Sequence, residues 1–338
     1  MNYSVFISEG IGDAILLVPL IKELRKTGSV TGIFDSAPDN YQLFEITDLF
    51  DNKIRIQGDS DYFKLALTYF NKFDVAYLNF LASSRKNLIL STFISKNAIT
   101  NHIPENLSGI FKRRIHFVEP CQETHDSVQN LRMLEGHKEE DLNSLFQVQY
   151  DLDGIELNTP FADNSNIIAV QISAGNNVQR YKNWVVENWI DFLKLASEKF
   201  PDHKFVLVGH KGEKELAETI LEKEITNVMS MIGETNIPQA IKLLNSCSLF
   251  LGLDGGLMHL AVSLNKPTFT LWGQSDPDIY GYEKINAEMH KVIQDSGAKR
   301  HSWLNPIHDF DYQDNSAMQL LKPADVFEEF SLFASKFL

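Results

Sequence analysis

Short apolar runs rich in β-branched residues alternate with longer stretches whose apolar positions recur at helical spacing, along most of the chain. Val5-Phe6-Ile7 predicts a strand. A single helix from about Asp13 to Lys26 is expected next, with Ile15, Leu16, Pro19, Leu20 and Leu24 near helical spacing. Its cations Lys22, Arg25 and Lys26 sit near the C-terminal end, where they suit the helix dipole. Strands at Thr31–Phe34, Lys53–Ile56 and Phe73–Leu78 then alternate with helices at Tyr41–Leu49, Tyr62–Phe70 and Arg85–Ile94. Between 101 and 150 the period blurs, and only a helix at His125–Leu134 is read there. The polar stretch Asp151–Asn166, with Gly154 and Pro160, has no sustained period and is taken as a linker.

A second alternation follows. Strands are predicted at Ile167–Ile172, Lys204–Val208, Leu249–Gly252 and Thr268–Leu271, and helices at Glu187–Lys199, Lys211–Glu222, Pro238–Asn245 and Gly256–Leu264. A last helix opens at Pro323 with Val326, Phe327, Phe330, Phe333, Ala334 and Phe337 as an apolar stripe. The pattern implies two doubly wound α/β domains, residues 1–155 and 156–320, facing a central ligand cleft. Residues 321–338 are expected as a helix at the seam between them.

Composition narrows the chemistry. Among 338 residues, 45 acids oppose 31 bases, a formal charge of −14, which argues against general binding of nucleic acid. Two distant cysteines, Cys121 and Cys247, exclude a disulfide framework or a Cys-rich zinc site. The longest apolar run, Ala14–Ile21, is interrupted by Pro19 and falls well short of the ~20 residues a bilayer span needs. No secretory pattern is read at the start, so a cytoplasmic location is expected.

Three segments could carry chemistry, each after a predicted strand. In Glu9-Gly10-Ile11-Gly12-Asp13 the glycines permit a sharp turn and close approach of a ligand, but no third glycine completes a dinucleotide fingerprint. Asp13 is either an ordinary acid in the first turn of a helix or a carboxylate placed to take a proton. In Leu253-Asp254-Gly255-Gly256-Leu257-Met258-His259 the amides of Gly255, Gly256 and Leu257 would cradle a diphosphate at a helix N-terminus. Asp254 would then accept hydrogen bonds from hydroxyls, and His259 is either a core histidine or a neighbour of the phosphates. In Ile172–Trp184, Arg180 or Lys182 could neutralise a leaving phosphate, although a charged surface loop is the plain alternative.

Gly12-Asp13, Lys182-x-Trp184, Gly209-x-x-x-Glu213, Asp254-Gly255-Gly256-Leu257-Met258-His259 and Gly273-Gln274-Ser275-Asp276-Pro277 occur in the order seen in glycosyltransferase family 9, the bacterial lipopolysaccharide heptosyltransferases. The chain resembles that family best from about Ile167 to Pro277, and in the first half mainly over the opening 25 residues. The resemblance implies a GT-B fold and an inverting, metal-independent transfer of a heptose or related sugar. The donor would be ADP-linked, with no other cofactor, and the acceptor a saccharide or glycolipid of lipopolysaccharide core or another surface glycan. It further implies catalytic roles for Asp13 (base) and Lys182 (cation at the leaving diphosphate). Donor binding would fall to Ser173, Glu213 (ribose), Asp254, Gly255, Gly256, Leu257 and His259, and acceptor binding to Gly10, Gly12 and Arg113. The sequence departs from the family at Gly255, where Ser or Thr is usual. A nucleotide-sugar epimerase of the same fold, or a non-catalytic nucleotide-sugar binder, are the alternatives.

The pairs Asp151/Asp153, Asp276/Asp278 and Asp309/Asp311 match the D-x-D of metal-dependent transferases but are expected by chance in so acidic a chain, and no metal site is predicted. Lys112-Arg113-Arg114 is the densest basic run. It is read as a solvated turn, with contact to acidic sugars or peripherally to the inner membrane as the alternative.

Overall fold

The computed structural model describes residues 1–136, 142–160, 166–174 and 179–338. The chain divides into two compact units, Met1–Asp151 and Leu152–Leu338. The first holds strands β1 (Asn2–Ile7), β2 (Ser29–Asp35), β3 (Asn52–Ile56), β4 (Phe73–Leu78), β5 (Ser95–Thr100) and β6 (Ile115–Phe117). The second holds β7 (Asn166–Val170), β8 (His203–Leu207), β9 (Val228–Ser230), β10 (Leu249–Leu253), β11 (Thr268–Trp272) and β12 (His290–Gln294). The sheet orders are β3-β2-β1-β4-β5-β6 and β12-β11-β10-β7-β8-β9, every pair parallel.

Both sheets therefore follow one plan: the first three strands run outward from the centre in one direction and the last three in the other. The chain reverses direction between β1 and β4 in one unit and between β7 and β10 in the other. Loops leaving the C-terminal ends of these central strands diverge and leave a crevice, which is where open parallel sheets bind ligands. The turn after β1 begins at Ser8 and the turn after β10 at Asp254, and the third segment follows β7, so all three candidate segments leave at such points.

The long helix expected over Asp13–Lys26 is two helices, Ile11–Leu16 and Val18–Arg25, joined at Leu17. Pro19 lies in the first turn of the second, where its missing N–H costs nothing, whereas within one continuous helix it would have broken the ladder. The carbonyl of Leu16 at this break is bonded instead by Ser127 Oγ (2.8 Å) and Asn130 Nδ2 (3.3 Å) from the helix Asp126–Leu131. The helix expected at Tyr41–Leu49 runs Pro38–Glu45, starting at its proline. That at Lys211–Glu222 is a 3-10 turn, Lys211–Glu213, leading into a helix Lys214–Leu221.

The first unit's core gathers Phe6, Ile33, Ala76, Leu78, Leu88 and Ala98 around the sheet. In the second, the C-terminal helix Pro323–Ala334 sets its apolar stripe into the core. Phe330 is fully buried, with ring centroids 5.3 Å from Phe192, 5.9 Å from Phe200 and 5.3 Å from Phe269. Among the described residues no helix is long and apolar enough to cross a membrane. Because Phe330 fills the space between one sheet face and two helices, Phe330→Ala is expected to cost about 3–5 kcal/mol in urea unfolding, whereas a loss below ~1 kcal/mol would place this helix outside the core.

Candidate active site

In the first unit, β1 ends at Ile7 and the chain turns through Gly10, whose φ of +100° is accessible essentially only to glycine. A Cβ at Gly10 would also run into the Asp13 carboxylate. Asn40 Nδ2 pins the turn by donating to the carbonyls of Ser8 (2.6 Å) and Gly10 (3.2 Å). Gly12 and Asp13 lie in the first turn of Ile11–Leu16, and Asp13 is half-buried at the C-terminal edge of the sheet. Arg113, exposed at the end of the short helix Gly109–Lys112, belongs to a different loop, after β5.

In the second unit a charged cluster forms around the β7/β10 reversal. Lys182 Nζ lies 2.7 Å from Asp254 Oδ2, with side chains only 16% and 5% exposed. Lys182 ends the 3-10 turn Arg180–Lys182, and this turn is stapled on several sides. Asn183 Oδ1 accepts from the Ala174 amide (2.7 Å), the Tyr181 amide donates to the Tyr312 carbonyl (3.2 Å), and Trp184 Nε1 donates to the Leu321 carbonyl (3.0 Å). Tyr181 is buried between Phe310 and Tyr312, with the Lys182 ammonium 5.7 Å from its ring centre. Gly273 admits this packing: any Cβ there would strike the Tyr181 carbonyl. Arg180, the other cation of the loop, is exposed. Gly175–Val178 of the same loop lie outside the described residues.

Burial pushes the Asp254 carboxyl up. The Lys182 ammonium, through its charge and its hydrogen bond, outweighs that with help from Ser275, leaving the group below the usual carboxylate range and ionised. The chain then passes to Gly255, extended at φ −167°, and into the helix Gly256–Ser263. Gly255 provides no side-chain cap, and no described group accepts from the amides of Gly255, Gly256 or Leu257. His259, one turn in, is buried, with Nδ1 2.7 Å from the Tyr282 hydroxyl. Burial pushes it down to about 4, so it is a neutral, positioned histidine and not a cation for phosphate.

Ser173 is buried beside this cluster at the end of β7. Glu213 stands after β8, its carboxylate lying where a Cβ on Gly209 would be. Its Oε2 is buried without a partner, and burial pushes the carboxyl up to about 7. Of the D-x-D pairs, Asp276 caps the helix Pro277–Tyr280 and Asp278 bonds Arg300 (2.8 Å) and Lys284 (2.9 Å), which is structural use. Tyr181, Asn183, Ser275 and Tyr282 complete the second unit's cluster and were not singled out from sequence. Only Ser275, within Gly273–Pro277, carried a motif signal.

The chain as a whole is similar to known proteins. The profile of glycosyltransferase family 9 (heptosyltransferase) matches residues 108–303, more than half of the chain. The chain belongs to this family. Lipopolysaccharide heptosyltransferase 2 of Escherichia coli K12 is 29% identical over 101 residues, 29% of this chain and 28% of that protein. Its counterpart from Salmonella typhimurium LT2 is 32% identical over 102 residues, again 29% and 28%. Matched segments thus span under a third of these relatives' length. Over the whole chain the fold is shared with E. coli ADP-heptose lps heptosyltransferase II (TM-score 0.70, 17% identity, 99% of each chain). It is shared too with a glycosyl transferase family 9 structure from Veillonella parvula (TM-score 0.72, 16% identity, 99% of this chain and 97% of that one). Two Rossmann-like units of the GT-B class are therefore the fold of this family member.

Two predictions follow from the burial of these charges. Lys182→Ala should cost about 3–5 kcal/mol at pH 7 by leaving Asp254 buried and unpaired, and Lys182→Met with Asp254→Asn should recover most of it. Additive losses in urea unfolding would contradict the pairing. His259 and His290 are both pushed down to about 4 by burial, against 6.5 unfolded. The unfolded chain therefore binds more protons between those pH values, and stability present at pH 7 is lost as pH falls through that window. Glu213, raised to about 7, acts oppositely between 4.5 and 7 but is a single group. The melting temperature is expected to drop by several degrees from pH 7 to pH 5, and a flat profile would contradict two buried neutral histidines.

Proposed function

We propose that this protein is an inverting, metal-independent glycosyltransferase. It moves a heptose or related sugar from an ADP-type donor to a lipopolysaccharide core or other surface-glycan acceptor. The observation that carries this is the buried Lys182–Asp254 pair beside the uncapped amides of Gly255–Leu257, at the strand reversal of the second unit. A fixed cation and a helix N-terminus supply positive potential where a nucleoside diphosphate departs, the task that Mg²⁺ performs elsewhere.

In the reaction, an acceptor hydroxyl oxygen bonds to the anomeric carbon as the bond from that carbon to the diphosphate oxygen breaks. The electron pair leaves with the nucleoside diphosphate, and the hydroxyl proton passes to Asp13 as general base. Attack opposite the leaving group inverts the anomeric centre. Asp254, kept ionised, accepts hydrogen bonds from the donor sugar. Glu213 Oε2, buried and unpartnered, accepts from the ribose hydroxyls. Gly10 and Gly12 keep the backbone beside Asp13 open for the acceptor.

Arg113 belongs to a surface suited to a membrane-borne acceptor. The helices Asp59–Thr68, Arg85–Ile94 and Gly109–Lys112 pack in series, and this part of the unit exposes Phe63 (70%), Leu67 (66%), Phe70 (58%) and Ile110 (76%). Segments 59–72, 84–94 and 105–114 hold seven Lys/Arg against three Asp/Glu, within a chain of net charge −14. Apolar side chains among bases fit the interface of an anionic bilayer, here the inner face of the cytoplasmic membrane.

Asp13→Ala should reduce sugar transfer by at least 10³-fold (about the upper part of general-base contributions) while nucleotide affinity holds, and wild-type turnover would remove the base assignment. Incubation with and without acceptor separates transfer from epimerisation, since an epimerase releases product without acceptor. Nucleoside diphosphate should bind more tightly as pH rises through about 7 and Glu213 ionises. Glu213→Gln should weaken binding and flatten that part of the profile, and an unchanged pH profile in calorimetry would exclude the ribose role. Phe63→Ser with Leu67→Ser should abolish co-sedimentation with phosphatidylglycerol vesicles, with equal pelleting by zwitterionic vesicles contradicting the charge argument.

A further inference from the structure

One buried side chain at the β7/β10 reversal has no function in the scheme above. Gln171 follows β7, its amide extending the ladder by donating to the Leu251 carbonyl (2.9 Å), and the residue is 6% exposed. Its side chain lies across two glycines of the neighbouring strand and turn. A Cβ on Gly252 would sit 2.9 Å from Gln171 Cβ, and a Cβ on Gly255 would sit 2.8 Å from Nε2 and 3.2 Å from Oε1. The carboxamide thus fills the position that a side chain at 255 would take. Its Oε1 is buried and has no hydrogen-bond partner. Amide oxygen and nitrogen are interchangeable by a flip, so either can face the turn.

Leaving one end of a carboxamide buried and unsatisfied is unfavourable unless a ligand completes it. The groups next to it are the amides of the Gly255 turn, all donors, at the start of an eight-residue helix. A ligand reaching all of them has to be an acceptor, and a carboxamide that presents its N–H₂ adds one more donor to the set. A hydroxyl carried by a Ser side chain at position 255 could do the same work. Gly255 is extended at φ −167°, so its backbone does not require glycine. The space occupied by Gln171 is what a side chain at 255 would contest.

We infer that Gln171 and Gly255 are a matched pair, in which the Gln171 carboxamide donates to a phosphate oxygen of the bound nucleoside diphosphate in place of a hydroxyl at position 255. This rests on the donor site proposed above and adds to it a binding residue on β7's C-terminal end. Bulk at 255 and the carboxamide at 171 compete for one volume, so their effects on diphosphate binding are coupled.

The test is a double-mutant cycle read by calorimetry with ADP, UDP and GDP on the full chain, using whichever binds the wild type. Gln171→Ala should weaken that diphosphate about 10- to 100-fold, the size of a lost hydrogen bond to a charged group. Gly255→Ala, which displaces the carboxamide, should do nearly the same, and the double variant should be no worse than either. Gln171→Ala with Gly255→Ser should regain most of the affinity, because the hydroxyl then has room. Circular dichroism and melting temperature of each variant confirm that the fold persists, and the regain in the double variant is a readout a damaged fold would not give. Wild-type affinity in Gln171→Ala, or additive losses across the cycle, overturns the inference while leaving the donor site in place. If the wild type binds none of the three diphosphates, the donor site itself is wrong and this inference falls with it.

Discussion

Placing an ammonium and a carboxylate inside a protein costs several kcal/mol per ion before any gain from their attraction. The second unit accepts that cost at Lys182 and Asp254 and arranges much of its local structure to offset it. The 3-10 turn before Lys182 is tied down by Asn183, Trp184 and Tyr181, so the ammonium has little freedom to leave its partner. Ser275 leans the balance further toward an ionised Asp254. The result is a fixed cation and a fixed anion side by side, next to a helix start whose amides have no protein acceptor. Positive potential held rigidly in a low-dielectric pocket suits a group that gains negative charge during a reaction, because nothing need reorganise when the charge arrives.

Topology decides where these charges can be used. The same strand order is built twice, and each copy opens a crevice where the chain reverses direction. Gly10–Asp13 leaves at the reversal of one sheet and Asp254–Leu257 at that of the other. The two turns differ in what the backbone demands. Gly10 needs glycine both for its positive φ and for the approach of the Asp13 carboxylate, whereas Gly255 is extended and is hemmed in chiefly by Gln171, with the Ala174 methyl next. One unit thus presents a carboxylate and the other a set of donors, a division of labour that fits an acceptor and a donor substrate.

Much of this was legible in the sequence, for identifiable reasons. Arg85–Ile94 is legible in the sequence with its observed bounds because dense apolar positions fill it, and in the structure Ser84 caps it, accepting from the Asn87 amide. Strands β1, β7 and β10 are buried on both faces and read as continuous apolar runs. β5, Ser95-Lys96-Asn97-Ala98-Ile99-Thr100, was missed because it starts directly at a helix end and carries few apolar residues. β6 and β9 have three residues each, too few to set a period. The break at Leu17 is marked in the sequence by Pro19 and hidden by the helical spacing that runs across it. Motif order located Lys182 and Asp254 but not their bond, and nothing local could have done so, since the contact is made by loops that follow two strands brought together only by the sheet. The burial that neutralises His259 and raises Glu213 is likewise a property of the packed unit.

The central claim is that the amides of the Gly255 turn, beside the Lys182–Asp254 pair, receive the diphosphate of the donor. The most direct measurement is a titration of the glycine-¹⁵N-labelled protein with ADP, following the Gly255 and Gly256 amide resonances. Both are expected to shift with one saturable dissociation constant that matches calorimetry, and to return to their free positions in the Lys182→Ala protein at the same ADP concentration. ADP binding that saturates while both resonances stay unmoved would contradict it.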